Sequence, residues 1–486
     1  MTTQSVDPRT NERFGPVHED TSPEELSLRV QAAAAAADAW ADTGPAQRAT
    51  ALRAAADALD RRGPELVELA DRETGLGGPR LTGELARTTF QLRMFADALD
   101  NGDGPDVLVD PAVPGPPPAG HPELHRVLVP LGPVAVFGAS NFPFAFSVPG
   151  GDTASALAAG CPVVVKAHPG HPQTSEAVAA VMTAALAAAG APAGTFGMVR
   201  GVDAGRLLVQ HPGIRAAAFT GSYGGGRALF DLAARRPDPI PFYGELSSVN
   251  PVVVTPAAAE RGAALATGYV DSLTLGAGQF CTNPGLLLVP AGGGVTELVV
   301  AEAGRREPGV MLHRGVAELF HGKVTRLAGL PGVRVPVPGA TPDRPGAWSA
   351  PVILAVDGAT AAANLDLLHT ECFGPAAVVV EYASEEELLL LLTHLDGCLV
   401  ATIHASEDEP LAATLVRRLA RIAGRVVWND WPTGVAVTAA QHHGGPHPAT
   451  TNPLHSSVGL TATQRFLRPV AYQSVPQSLL PAGPRS

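Results

Sequence analysis

Cys281 follows a glycine-rich bend in Leu275-Gly-Ala-Gly-Gln-Phe-Cys281-Thr-Asn-Pro284, at the end of a helical stretch, where small neighbours leave room at the sulfur. A thiol attacks a carbonyl when it is partly exposed and has a base or hydrogen-bond donors beside it. The same local sequence also suits a small buried hydrophobe, and on its own it does not separate the two. Glu245, in Pro241-Phe-Tyr-Gly-Glu245-Leu-Ser-Ser, ends an apolar strand. Desolvation there would raise its pKa toward that of a useful general base, although a lone carboxylate is more often a surface or capping acid. Asn141, in Gly138-Ala-Ser-Asn141-Phe-Pro-Phe144, closes another strand. Its amide suits an oxyanion that forms when a carbonyl is attacked, and it equally suits a turn. Phe219-Thr-Gly221-Ser222-Tyr-Gly-Gly-Gly226 opens a helix, a place where backbone N–H groups and the helix dipole favour anions; alone it is a weak signal.

The elements around these residues read as α/β. Ser22-Pro23-Glu24-Glu25 has the N-cap, first-turn proline and acidic partner of a helix start. Helices are expected to about Asp42, from Pro45 to Arg62 and around Gly83–Leu99. A proline-rich connection, Asp110 to Pro122, then precedes apolar runs at Val127–Phe137, Val163–Val165 and Ala216–Phe219 that alternate with helical stretches. Such alternation predicts a parallel sheet covered by helices. Val252–Val254, Leu286–Val289, Ala376–Val380, Val400–Ile403 and Val426–Trp428 repeat the pattern in a second α/β unit. Beyond Thr433 no long helical period appears, and this tail is expected to pack on another element or another subunit.

Composition narrows the function classes. The 486 residues carry a formal net charge of −12 and no basic run, which argues against nucleic acid as a partner. No stretch approaches the ~18 uninterrupted apolar residues of a membrane span. The N-terminus has no signal-peptide character, so a cytoplasmic protein without a membrane partner is expected. The four cysteines, Cys161, Cys281, Cys372 and Cys398, are widely spaced, with no metal or disulfide pattern.

Taken in order, GASNFPF, CPVVVKAHPGHP, FTGSYGGG, GELSSVNP, GAGQFC and ECFGP resemble the aldehyde dehydrogenase superfamily over nearly the whole chain. The resemblance implies Cys281 as nucleophile, Glu245 as the base of deacylation, and Asn141 with the Cys281 N–H as oxyanion hole. It implies a nicotinamide cofactor, with Lys166 and His168 near the adenosine ribose, Gly221, Ser222 and Gly226 near the pyrophosphate, and Glu371 and Phe373 at the nicotinamide ribose. Many NAD-using members carry a glutamate three residues after the lysine. Here that position is Pro169, with His168 and His171 close by, so NADP is the favoured cofactor and NAD the alternative. No metal is implied; the run His442-His443-Gly-Gly-Pro-His447 has no carboxylate or thiolate beside it.

The Ser-Ser pair after Glu245, the KAHPGHP segment and the closing Arg465-Phe-Leu-Arg468-Pro are similar to the branch that oxidises α-ketoglutaric semialdehyde (2,5-dioxopentanoate) to 2-oxoglutarate. An NADP-linked long-chain fatty aldehyde dehydrogenase is the alternative. A third possibility is a non-catalytic scaffold of the same fold, which retention of all three chemical residues disfavours. A keto acid needs a cationic pocket end. On the helix around Gly83–Leu99, Arg87 and Gln91 share a face with Glu84 and are the candidates to supply it, though a helical arginine is more often solvated. Asp430, in Trp428-Asn-Asp430-Trp, stands where a glycine is usual in the family, a place expected to need left-handed backbone.

The expected architecture is aldehyde dehydrogenase-like α/β. Residues 1–114 and 131–244 would form a doubly wound cofactor-binding domain and 245–432 an α/β catalytic domain. Residues 115–130 and 433–486 would form a small oligomerisation element and tail, giving a homodimer or homotetramer.

Overall fold

The computed structural model describes residues 2–102, 107–340 and 342–480. Five parallel strands form one sheet in the spatial order Phe196–Val199, Val163–Lys166, Val134–Phe137, Ala216–Thr220, Phe242–Glu245. In chain order the strands run outward from Val134–Phe137 to one side, and the chain then returns to build the other. The sheet is therefore doubly wound, with its switch point between Val134–Phe137 and Ala216–Thr220. Ligands in open α/β sheets bind outside the carboxyl ends of the strands at such a point, and both the Asn141 turn and the Gly221–Gly226 turn leave the sheet there.

A second sheet of seven strands is parallel apart from the edge strand Arg334–Val337, and its centre is Leu286–Pro290 beside Pro251–Val254. Helices cover both faces of each sheet, so the central strands are apolar on both sides: Val163, Val164, Val165, Leu286, Leu287 and Leu288 are fully buried. The expected fold class is the observed one.

The helix starts follow their local chemistry. Ser22 Oγ accepts from Glu25 N at 3.1 Å and caps Pro23–Ala41. The next helix, Pro45–Arg61, ends one residue short of the expected bound. The helix expected around Gly83–Leu99 runs from Gly78 to Asn101, because Pro79 belongs in the first turn, where its missing N–H costs nothing. Gly63–Thr74 was not foreseen as a separate helix, and neither was the antiparallel hairpin of Thr2–Val6 with Arg13–Glu19.

One expected strand is two. Val127–Phe137 divides at Gly132-Pro133, where Gly132 takes φ 110° and Pro133 has no N–H to give a ladder. Leu124–Pro130 pairs antiparallel with Leu467–Gln473, and Val134–Phe137 enters the parallel sheet. Leu108–Asp110, assigned above with residues 1–114, pairs instead with Leu124–Pro130 in this three-stranded sheet. The left-handed residue near Trp428 is Asn429 (φ 51°), not Asp430; the Asn429 side chain bonds to Ala405 N and O, which fixes the turn one residue earlier. Among the described residues no helix is long and apolar enough to cross a membrane.

Candidate active site

The chain reaches Cys281 through a tight turn with positive φ at Gly276 (56°), Ala277 (55°) and Gly278 (69°). Gly278 is held to glycine twice over: its φ is left-handed, and a Cβ there would overlap the Gly374 carbonyl and lie 2.5 Å from Pro375 N. Gly278→Ala is expected to cost about 2 kcal/mol or more in stability and to lower kcat by displacing the sulfur. A melting curve and an initial-rate assay check this, and an unchanged protein would mean that the turn is compliant.

Side chains pin the loop after that turn. Gln279 Nε2 donates to Gly276 O and Val310 O, and its Oε1 accepts from Leu312 N at 2.8 Å. Asn250 Nδ2 donates to Cys281 O at 2.8 Å and to Asn283 O at 2.9 Å. Asn141 Nδ2 donates to Gln279 O at 3.0 Å, which brings the expected oxyanion donor against the cysteine loop with a second N–H on the same nitrogen.

Cys281 is half-buried, and its Sγ lies 3.6 Å from His443 Nε2. Burial, then the negative charges of Glu245 and Glu371, push the thiol up to about 12, with Arg87 opposing them. The resting group is a protonated thiol. His443 is pushed down to about 3 by burial and by Arg425, Arg87 and His442, so its ring is neutral. Glu245 ends the strand Phe242–Glu245 at 8% exposure. Burial pushes it up to about 8, Asp152 adds to this, and Arg465 and the Ser457 hydroxyl oppose it. Its Oε2 has no hydrogen-bond partner among the described residues.

The helix Gly78–Asn101 borders the same space. Glu84 Oε1 accepts from Phe144 N and Ala145 N, so it anchors the segment after Asn141. Arg87 is not solvated: its guanidinium lies over the Phe146 ring at 5.2 Å, and its Nη1 is buried without a hydrogen-bond partner among the described residues. Gln91 Nε2 is likewise buried without a partner among the described residues. Phe142 packs edge-on against Phe146 and Phe280, forming an aromatic wall.

A cleft of about 390 Å³ lies beyond, lined by Tyr223, Ser247, Lys323, Glu371 and His447 among others. The Glu371 carboxyl bonds to Ser247 and Ser248, and Lys323 Nζ donates to Glu371 O at 2.6 Å. Phe373 takes φ 51° and lines a smaller cavity beside it. Ser222 caps the helix Tyr223–Ala234, and a Cβ on Gly226 would strike Leu246. The turn is less open to an anion than its sequence suggests. Gly221 N donates to Glu245 O, Tyr223 N to Ser247 Oγ and Gly225 N to Ser222 Oγ.

Lys166 and His168 lie outside that cleft's lining. Burial pushes the Lys166 ammonium down to about 8 against the pull of Asp20. His168 is half-buried, its Nδ1 accepting from Gly170 N, and desolvation with His171, Lys166 and His313 nearby holds it well below the ordinary range. His171 is fully buried, with its ring nitrogens on Ser175 Oγ and Ala139 O. The two histidines expected to favour a 2′-phosphate are therefore uncharged, because the site desolvates them. Among the described residues no three His, Cys, Asp or Glu side chains converge as a metal site requires.

Residues 1–462 match the model of the aldehyde dehydrogenase family. The chain belongs to that family. Among similar family members, "Alpha-ketoglutaric semialdehyde dehydrogenase 2" of Azospirillum brasilense is 47% identical over 490 residues, covering 99% of this chain and 93% of the relative. An alpha-ketoglutaric semialdehyde dehydrogenase of Acinetobacter baylyi is 42% identical over 485 residues, covering 99% and 92%. A 1-pyrroline-5-carboxylate dehydrogenase from Thermus with bound NAD superposes with a TM-score of 0.82 over 97% of this chain and 90% of that one, at 22% identity. That likeness shows the shared aldehyde dehydrogenase fold.

Sequence reading missed His443, Asn250, Lys323, Asp152 and Arg465. His443 stood in plain view in the histidine run, where it was weighed only as a metal ligand. Nothing local to the other four points at Cys281, Glu245 or Glu371.

Proposed function

We propose that this aldehyde dehydrogenase oxidises α-ketoglutaric semialdehyde to 2-oxoglutarate. Arg87 carries the reading: a guanidinium that faces Glu84 and Cys281, with a buried Nη1 that has no hydrogen-bond partner among the described residues, has a donor to offer an anionic group on the substrate. The names of the two relatives above agree with it. A fatty aldehyde would suit the aromatic wall of Phe142, Phe146 and Phe280 but would give the buried Nη1 of Arg87 no acceptor.

Arg87→Met is expected to raise KM for α-ketoglutaric semialdehyde about 10- to 100-fold, the worth of one hydrogen-bonded charge of about 1.5–3 kcal/mol. Hexanal should be used as well as before. Equal losses with both aldehydes would make Arg87 a structural residue and remove the ground for a keto acid.

In this reading Cys281 Sγ adds to the aldehyde carbon and its proton leaves as the bond forms. His443, at 3.6 Å, hydrogen-bonds the sulfur; held down at about 3 by burial, it is too weak a base to keep that proton, which passes on to solvent. The oxyanion of the thiohemiacetal rests on the free N–H of Asn141 and on Cys281 N–H. When bound, the nicotinamide accepts the hydride that this adduct releases. Glu245 then takes a proton from water, the hydroxyl adds to the thioester carbon, and the carbon–sulfur bond breaks to give the acid and the Cys281 thiol.

The pairing of Glu371 and Lys323 in the cleft suits a ribose, with acceptor and donor side by side. We infer that both NADP and NAD serve. Pro169 places no carboxylate after Lys166, while neutral His168 and the nearby Asp20 offer no positive charge to a 2′-phosphate. Assembly into a homodimer or homotetramer through the three-stranded sheet fits its outer strand, where Leu108 and Val109 are exposed.

A further inference from the structure

Arg465, just ahead of the closing strand, reaches back to the helix Gly151–Ala158, where its Nη2 lies 2.8 Å from Asp152 Oδ1. The same nitrogen is 3.3 Å from Ser155 Oγ, and Nε donates to Ala462 O at 3.1 Å. The side chains are 2% and 11% exposed. Such a pair is a weak source of stability, since removing two ions from water costs about what their attraction returns. A reason to keep it lies beside it. Glu245 is within electrostatic reach of both partners, yet its Oε2 has no hydrogen-bond partner among the described residues. A buried guanidinium lacking another anion would close on that carboxylate as a two-pronged pair. Glu245 would then be locked in its ionised form and would be a poor acceptor of a proton from water.

We propose that Asp152 is a competing counter-ion that holds Arg465 off Glu245, keeping the Glu245 carboxylate free to act as base. Asp152 and Arg465 are positioning residues, and the proposal rests on the reading of Glu245 as the base of thioester hydrolysis. The groups facing Glu245 are Arg465 from the tail, Asp152 from its helix, the Ser457 hydroxyl and the Cys281 thiol. Tyr243 and His455 face Arg465 in turn. Once Asp152 is neutral, the anion left to Arg465 in this group is Glu245.

The test compares Asp152→Asn, Asp152→Glu and the apolar double variant Asp152→Leu/Arg465→Met, by stopped-flow and by the pH profile of kcat. In Asp152→Asn the acid limb should move down by about one pH unit or more, because an opposite charge now faces the base alone. The plateau of kcat should fall about tenfold, since the new carboxylate is a weaker base. The first-turnover burst of reduced cofactor should keep its rate. Asp152→Glu should restore the limb, and the double variant, with no guanidinium to collapse, should hydrolyse within a few-fold of the parent. An unmoved limb in folded Asp152→Asn overturns the proposal, and so does a double variant as slow as the single one or unable to fold. If Asp152→Asn itself does not fold, the double variant decides. Glu245→Gln is the control: normal steady-state turnover there would remove the base reading itself, whereas lost hydrolysis there with an unmoved Asp152→Asn limb would remove only this proposal.

Discussion

Cys281→Ala is expected to abolish aldehyde oxidation, by about 10⁴-fold or more in kcat, with no burst of reduced cofactor in the first turnover. Without the sulfur there is no covalent adduct, and the donors of Asn141 and the Cys281 backbone have no oxyanion to hold. Cofactor binding, followed by nicotinamide fluorescence, should be unchanged, because the Glu371 cleft does not depend on the side chain of Cys281. Acidity does not single this thiol out. Burial pushes Cys161 and Cys372 up to about 11 and Cys398 up to about 12, beside about 12 for Cys281. What separates Cys281 is company: His443 at 3.6 Å, Glu245 and Arg87 in electrostatic reach, and the Asn141 amide on the same loop. A Cys281→Ala protein that still turns over would move the nucleophile to another thiol; Cys372, beside Glu371, would be the next to replace.

What could be read from the sequence was what is encoded locally. Ser22 and Pro23 announce a helix whose cap is satisfied within four residues, and the valine run at 163–165 announces a strand buried on both faces. Chemistry at strand ends was legible for the same reason: Asn141 and Glu245 each follow an apolar run that stops. Readings failed where a partner far along the chain decides. Leu124–Pro130 looks continuous with Val134–Phe137 until Leu467–Gln473 claims the first part for another sheet. The tail from Thr433, without periodicity, was expected to pack on another element or another subunit, and which element it meets was not legible. Its backbone bonds to the strand carrying Glu245, through Leu246 N to Ala449 O and Thr451 N to Gly244 O, and it delivers His443 to the sulfur. The charge of a histidine is likewise a property of its surroundings, which is why the nearness of His168 and His171 to Pro169 could be read in the sequence and the downward push of burial on both rings could not.

Glu245→Gln should separate the two halves of the reaction. In the proposed mechanism acylation and hydride release depend on Cys281 and the oxyanion donors, so a burst near one equivalent of reduced cofactor is expected at close to the parent rate. Hydrolysis should then slow by about 10²- to 10⁴-fold, the usual contribution of a positioned base, and a thioester on Cys281 should accumulate, visible as added mass on the intact protein. The parent's pH dependence follows from the same residue. In its proposed role Glu245 acts as base only when ionised, and burial pushes its pKa up to about 8, so kcat should be low well below pH 8, rise through it and level above. That limb should vanish in Glu245→Gln, because the amide does not titrate. A surviving limb with fast turnover would assign the base elsewhere, and His443, pushed down to about 3, could not supply a limb near pH 8 unless substrate binding opened its site to water. A variant that loses the burst together with turnover would instead place Glu245 in the first half, as acceptor of the thiol proton. That role fits the same geometry, since a thiol held up near 12 needs a partner before it can attack.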